Sequence, residues 1–282
     1  MPKLLDADQV AAFHRDGFVA PVAVLSSWET VAYRQRFEGY ERAHDGWYTL
    51  SKGQKIHLLQ TWVAELVHNP RILDAVEDVL GGDVMCWGTS LFIKNAHDPH
   101  FVSWHQDSTY WGLDKPDVIT AWVALSAATR ESGCMKMIPG SHSTEQIPHR
   151  DTLAEHNLLT RGQEIAVEVD ESKGVYIELA PGEVSLHHVR TVHASEPNQS
   201  DDRRIGVALR YIAPHVRQVN GERDSAMLVR GEDRFGHFVH EKPPKRDMDA
   251  EALAEHARIM QLRQEILYDG VAGKPAHVSL DR

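Results

Sequence analysis

Apolar and polar positions change period along the chain. Near the start, Val10, Phe13 and His14 share one face of a helix that Asp6 and Gln9 open as a capping box and Gly17 stops. Phe18-Val19-Ala20-Pro21 follows as a short strand. Residues 28–44 and 61–80 predict helices, the second presenting Trp62, Leu66, Ile72 and Val76 and ending at Gly81-Gly82. From Asp83 to about Ala213 the period shortens to that of strands. Runs at Val84–Lys94, Phe101–Gln106, Val118–Ser126, Met135–Ile138, Val175–Leu179, Glu183–His187 and Arg204–Ile212 are separated by Gly, Pro, Asn and Ser. Many short strands so spaced predict a sandwich or barrel. Residues 143–174 are polar and poor in strand signals, too long for an ordinary connection, and read as a lid or a disordered insert. After Pro214 a mixed segment leads to a helix over 250–267, whose stripe Leu253, Ile259, Leu262 and Ile266 suits a sheet face or a dimer interface.

The pattern is that of one domain over residues 1–282: helical support in 1–82, a β core in 83–213 with the insert 143–174, and a C-terminal extension in 214–282. Composition changes little. The net charge of −11 argues against a nucleic-acid surface. Cys86 and Cys134 are far apart and in no metal-like spacing, as in a reduced compartment. The first residues lack a signal-peptide core, and no run approaches the ~18 apolar residues of a membrane helix. A cytoplasmic protein is expected, monomeric or homodimeric, with a small-molecule partner and neither nucleic acid nor membrane.

Eighteen histidines are the anomaly. In Trp104-His105-Gln106-Asp107, residues i and i+2 of a strand share a face, so His105 and Asp107 point the same way while Trp104 and Gln106 point the other. Such a pair begins a facial His-x-Asp…His metal site, which leaves coordination positions open for substrate and O2. The third ligand has three candidates by spacing, His187, His188 and His193. In Arg204–Tyr211, Arg204, Gly206 and Ala208 alternate with Ile205, Val207 and Leu209, a pattern that suits either a guanidinium in a cavity kept open by small residues or a surface arginine at a strand start. That fork suits a dicarboxylate. Thr120, Trp122 and Ala124 form a similar face, where Trp122 can wall a cosubstrate pocket or simply fill core.

These pieces together resemble the phytanoyl-CoA dioxygenase (PhyH) family of iron(II)/2-oxoglutarate oxygenases, which includes ectoine hydroxylase. The likeness runs from Gln9-Val-Ala-Ala-Phe-His-Arg-Asp-Gly17 to about Tyr211, through Trp104–Asp107, Thr120–Leu125, Glu131–His142 and His193-Ala-Ser195 to Arg204. It implies a double-stranded β-helix, jelly-roll or cupin-like, mostly β with flanking helices. It implies His105, Asp107 and His193 as iron ligands and catalytic residues, Arg204 and Ser195 on the far carboxylate of 2-oxoglutarate, and Trp122 beside them. His188 matches a non-ligating histidine, and Pro139–His142 a hairpin closure. The implied cofactors are Fe(II), 2-oxoglutarate and O2. With Asp107 where related halogenases carry a small residue, the implied outcome is hydroxylation, releasing succinate and CO2.

Substrate is the least legible feature. Tyr110 and Trp111 could line its side and suit a quaternary ammonium, and Arg210, Lys94 or Arg217 could meet a carboxylate or phosphonate. A small polar or zwitterionic molecule fits better than an acyl-CoA, since no Lys/Arg cluster suits the CoA phosphates. Other readings are a larger natural-product or acyl substrate, a non-catalytic metal-binding sensor or scaffold, and zinc-dependent hydrolysis at the same triad.

Overall fold

Odd-numbered residues of 119–125 and 205–211 are apolar while their even-numbered neighbours, Trp122 apart, are polar or small, and this alternation divides the molecule into a helix-covered side and a cavity side. The computed structural model describes residues 2–44, 46, 54–152, 156–159, 163–220 and 223–267. Its major sheet has seven strands, numbered here in chain order: β1 (Phe18–Ala23), β9 (Glu183–His188), β4 (Val118–Ala124), β11 (Arg204–Ile212), β2 (Val84–Lys94), β12 (Ser225–Arg230) and β13 (Val239–His240), adjacent in that order. All neighbours are antiparallel except β12 and β13. A minor sheet runs β3 (Val102–His105), β10 (His193–Ser195), β5 (Met135–Met137), β8 (Val175–Ile177). Two sheets facing each other across a pocket, backed by helices, make a double-stranded β-helix.

The apolar face of the major sheet, with Ile119, Ala121, Val123, Val184, Leu186, Ile205, Val207, Leu209 and Tyr211, packs against the N-terminal helices in one core. The first, α1 (Ala7–Asp16), opens at the Asp6/Gln9 capping box and ends at Gly17, whose φ of 85° is left-handed. Next comes α2 (Ser27–His44), with Phe37 buried. The expected single helix over 61–80 is two, α3 (Thr61–Val67) and α4 (Pro70–Leu80). Pro70 lacks an N–H to continue α3 and sits in the first turn of α4, while the Asn69 side chain caps the new start by accepting from Arg71 and Ile72.

The 143–174 stretch is not strand-free. A ribbon of β6 (His149–Asp151) and β7 (Gln163–Ile165) lies within it. It was illegible because three-residue strands carry no alternation long enough to read. At the C-terminal end, α5 (Ala250–Leu267) has the expected extent but only part of the expected face. His256, Ile259 and Arg263 turn inward, whereas Leu253 is 39% exposed. The inward polar groups have partners, His256 Nε2 at Gln54 O (2.9 Å) and Arg263 Nη1 at Trp87 O (3.3 Å). The side chain of Ile266 lies outside the described residues. Cys86 and Cys134 are free and buried. Among the described residues no helix is long and apolar enough to cross a membrane.

Candidate active site

Strand pairing brings the site together. β10 lies between β3 and β5, and its register sets His193 directly opposite His105. The two rings are 4.1 Å apart. Asp107 is not in the strand, as expected, but opens a 3₁₀ turn, Asp107–Tyr110, just past the end of β3. Gln106 between them remains extended (φ −110°, ψ 137°), so the two-residue periodicity carries through and Asp107 still faces His105. Its N–H donates to Val189 O at 3.1 Å. Ligand atoms of His105, Asp107 and His193 all lie within 4.8 Å of one another.

Both histidines are oriented from behind. His105 Nδ1 lies 2.9 Å from Ser103 O and His193 Nδ1 lies 2.9 Å from Thr191 O. A carbonyl only accepts, so each Nδ1 carries the proton and each Nε2 presents a lone pair to the centre of the triad. Burial, and then the proximity of the His105 imidazole, hold His193 well below the usual histidine range, so it stays neutral. Asp107 is the opposite case. Burial pushes its carboxyl up, but the His105 imidazole at 3.4 Å and then the positive charge of Arg210 outweigh that and hold it well below the usual carboxylate range. Thr120 Oγ1 donates to its other oxygen at 3.3 Å. Two neutral imidazoles and one carboxylate, pre-aimed, make a donor set suited to a divalent metal with open positions.

The other two histidines separate by strand alternation. His188 turns out of the cavity, near His142 (5.4 Å between rings), and its Nδ1 accepts from Arg190 N at 3.1 Å. His187 turns in, 3.9 Å from Asp107 Oδ2 and 4.9 Å from the His193 ring, yet outside the ligating set. Burial depresses it to about 4, so it is neutral, and its Nδ1 is buried without a partner.

At the far end of the cavity Arg204 is 1% exposed. Its Nη1 donates to Gly133 O, its guanidinium lies 5.4 Å from the Trp122 ring, and its Nε is buried without a partner. Burial lowers its pKa to about 10, which leaves it charged. Lys94, expected on the substrate side, is instead paired with Arg204 across β2 and β11. Its Nζ donates to Ser195 Oγ at 2.8 Å and to Glu196 O. Burial, and then the charge of Arg204, bring it to about 6. Gly206 is what lets Trp122 lie over this end, since a Cβ there would fall 1.8 Å from Trp122 Cζ2. Phe92, Met135, Ala208 and Arg210 also line the cavity.

Arg217 does not reach the cavity lining; it pairs loosely with Asp114 at 3.7 Å and is 60% exposed. Trp111 lies against Arg210 and, tilted, against Trp87, and Tyr110 closes the 3₁₀ turn with a side chain outside the described residues. Gln106, expected to point away, does turn from the metal but into a buried anchor. Its Oε1 accepts from Ile147 N (2.8 Å) and Gln146 Nε2 (2.9 Å), and its Nε2 donates to Arg190 O (2.9 Å). The insert is thereby tied to the residue between His105 and Asp107, a link no local pattern could reveal. Lys94 had a signal, a lone lysine closing an apolar strand, but its level in the cavity depends on the β2–β11 register.

A double-stranded β-helix with an inward His-x-Asp…His triad defines the mononuclear non-haem metal oxygenases of the cupin type. The chain belongs to the phytanoyl-CoA dioxygenase (PhyH) family of iron(II)/2-oxoglutarate oxygenases, whose model matches residues 13–206. It is similar to the structure of the non-haem monooxygenase ThoJ, 39% identical over 92% of this chain and 97% of that chain, with a TM-score of 0.81. Among curated relatives, L-proline trans-4-hydroxylase of Streptomyces griseoviridis is 28% identical over 232 residues, 74% of this chain and 86% of that protein. A probable alpha-ketoglutarate-dependent hypophosphite dioxygenase of Stutzerimonas stutzeri is 28% identical over 167 residues, 58% of this chain. The match spans 57% of that relative's length.

Proposed function

We propose that this protein is an iron(II)- and 2-oxoglutarate-dependent dioxygenase that hydroxylates a C–H bond of a small polar or zwitterionic molecule, with release of succinate and CO2. His105 Nε2, His193 Nε2 and one oxygen of Asp107 hold the metal. Arg204 and Ser195 bind the distal carboxylate of 2-oxoglutarate, Lys94 adds a donor beside them, and Trp122 walls the pocket. The observation that carries this reading is the pairing of a pre-aimed two-histidine, one-carboxylate set with a buried arginine that lacks a carboxylate partner among the described residues. An unpaired guanidinium in that position is costly until an anion arrives, and a dicarboxylate reaching from it to the metal supplies one.

Iron(II) with 2-oxoglutarate and O2 supplies an oxidant able to attack an unactivated C–H bond. The chain's own residues do the positioning. Ser103 and Thr191 carbonyls fix the imidazole tautomers, and Thr120 steadies Asp107. Asp107 in the coordination sphere leaves no vacated ligand position for a halide, which favours hydroxylation. The names of two relatives, for L-proline and hypophosphite, favour a substrate of small size. The acidic charge favours a small-molecule partner over nucleic acid, and we place the enzyme in the cytoplasm as a monomer or homodimer.

The test is succinate release under air with Fe(II) and 2-oxoglutarate, across amino acids, betaines, phosphonates and natural-product fragments. The expected result is substrate-stimulated succinate with an equivalent of hydroxylated product, lost in His193→Ala. A uniform background over the panel, unchanged in that variant, would overturn the reading.

A further inference from the structure

Two guanidiniums enter the cavity from one face of β11. Arg204 and Arg210 are six residues apart on this strand, roughly 20 Å along it. Arg204 belongs with Lys94 and Ser195, and 2-oxoglutarate accounts for it. Arg210 is left over. It stands in a row across the major sheet, because His187 pairs with Thr120, Thr120 with Arg210 and Arg210 with Gly88. Thr120 is the residue that touches Asp107. Arg210 therefore lies at the level of the metal triad, one strand to the side, at the opposite end of β11 from the 2-oxoglutarate arginine.

The surroundings of Arg210 hold it rather than neutralise it. Its Nη1 donates to Ser90 Oγ at 2.8 Å, its only hydrogen bond among the described residues, and its Nε is buried without a partner. The guanidinium lies 5.3 Å from the centre of the Trp111 ring. Trp111 leans on Trp87 at 4.9 Å, and Arg263 covers Trp87 at 4.2 Å. Among the described residues no carboxylate comes within ion-pairing distance of Arg210. The nearest favourable charge is Asp107, which the metal claims. A resident cation on Trp111 also excludes the quaternary ammonium that the bare aromatic residues suggested, because a second positive charge there would be repelled. What remains is a planar, oriented fork at the substrate level with nitrogen donors to spare, the geometry that takes a carboxylate bidentately.

We infer that Arg210 anchors a carboxylate of the substrate, and that this enzyme acts on small carboxylates of the amino-acid type. The inference rests on the oxygenase reading above and narrows its substrate class. Trp111 and Ser90 are positioning residues that set the plane of the guanidinium. Recognition by charge at Arg210 leaves the rest of the substrate facing the metal.

The test uses full-length protein loaded with Ni(II), which binds without turnover, and with 2-oxoglutarate. It is titrated with the twenty L-amino acids, their C-terminal amides and the matching aminophosphonates. At least one amino acid should bind, its amide at least tenfold and its phosphonate several-fold more weakly. Arg210→Gln should erase that preference, bringing acid and amide within twofold, while 2-oxoglutarate affinity stays within twofold of wild type and Ni(II) affinity falls by much less than that of the acid. Arg210→Lys should restore part of it. Equal binding of acid and amide, tighter binding of the phosphonate, or no amino acid bound at all would overturn the inference. So would a loss of Ni(II) affinity in Arg210→Gln matching the loss of amino acid, since Arg210 would then serve Asp107. Failure of the wild type to bind 2-oxoglutarate sinks the oxygenase reading itself; binding of 2-oxoglutarate without a carboxylate preference sinks this inference alone.

Discussion

Adding one methyl group at Gly206 should disable the 2-oxoglutarate end of the site. A Cβ at this position would lie 1.8 Å from Trp122 Cζ2, 2.3 Å from Cε2 and 2.5 Å from Cη2. Carbon atoms pack at about 3.5–4.0 Å, so the indole must retreat by roughly 1.7 Å. Trp122 is 4% exposed and packed with Ala124, Cys134, Met135 and Ala208, so it has little room. Overpacking of this kind costs about 1–3 kcal/mol of stability. The same retreat disturbs the guanidinium of Arg204, 5.4 Å from the ring; weakening its hold on a carboxylate by ~2 kcal/mol raises the 2-oxoglutarate Kd roughly thirtyfold. Gly206→Ala should therefore lower Tm and weaken 2-oxoglutarate binding, measured calorimetrically on the Ni(II)-loaded protein. All three clashing atoms belong to the benzo half of the indole, which phenylalanine lacks, so adding Trp122→Phe should recover much of both losses. Gly39→Ala, in α2 with its nearest neighbour at 3.8 Å, should do no harm. Wild-type Tm and affinity in Gly206→Ala would refute the assignment of this cradle.

Lys94, held near 6 by burial and then by Arg204, is mostly neutral at pH 7.5. A carboxylate arriving beside it favours the ammonium form, so 2-oxoglutarate binding should take up close to one proton. Affinity should then fall as pH rises from about 6, by at most about tenfold per unit; equal calorimetric enthalpies in phosphate and Tris would contradict this. Gln106→Ala strips the buried partners of Ile147, Gln146 and Arg190 at ~1–3 kcal/mol. Limited proteolysis should then cut within residues 143–174 while 2-oxoglutarate affinity holds; a wild-type digestion pattern would show that Gln106 does not anchor the insert. Thr120→Val removes the hydroxyl bonded to Asp107 and should weaken metal binding several-fold without changing Tm by more than a few degrees; unchanged metal affinity would show Thr120 to be a bystander.

How much of this was readable in the residues follows the range of the forces involved. Alternation along β4 and β11 is local, and it correctly separated the packed face from the cavity face and put Arg204, Gly206 and Trp122 together. The capping box at Asp6 and the stop at Gly17 are local as well. The choice of His193 over His187 and His188 was open on spacing, because it is decided by pairing with β3, a contact between residues far apart in sequence; the family resemblance supplied what spacing could not. The break at Asn69-Pro70 was legible and was overridden by the apolar stripe running through it. The placement of Lys94 failed for want of register, and that of Gln106 because its partners lie in an insert whose strands are too short to announce themselves. On α5 the stripe misled in part, since Ile259 is buried as expected but His256 and Arg263, both with partners, share the inward face while Leu253 is exposed.

The most direct measurement is the visible spectrum of the anaerobic protein with Fe(II) and 2-oxoglutarate. A weak charge-transfer band is expected, present in wild type and in His188→Ala, absent in His193→Ala, and shifted to much higher 2-oxoglutarate concentration in Arg204→Ala. No band in wild type, or an undiminished one in His193→Ala, would contradict the triad and the cosubstrate together.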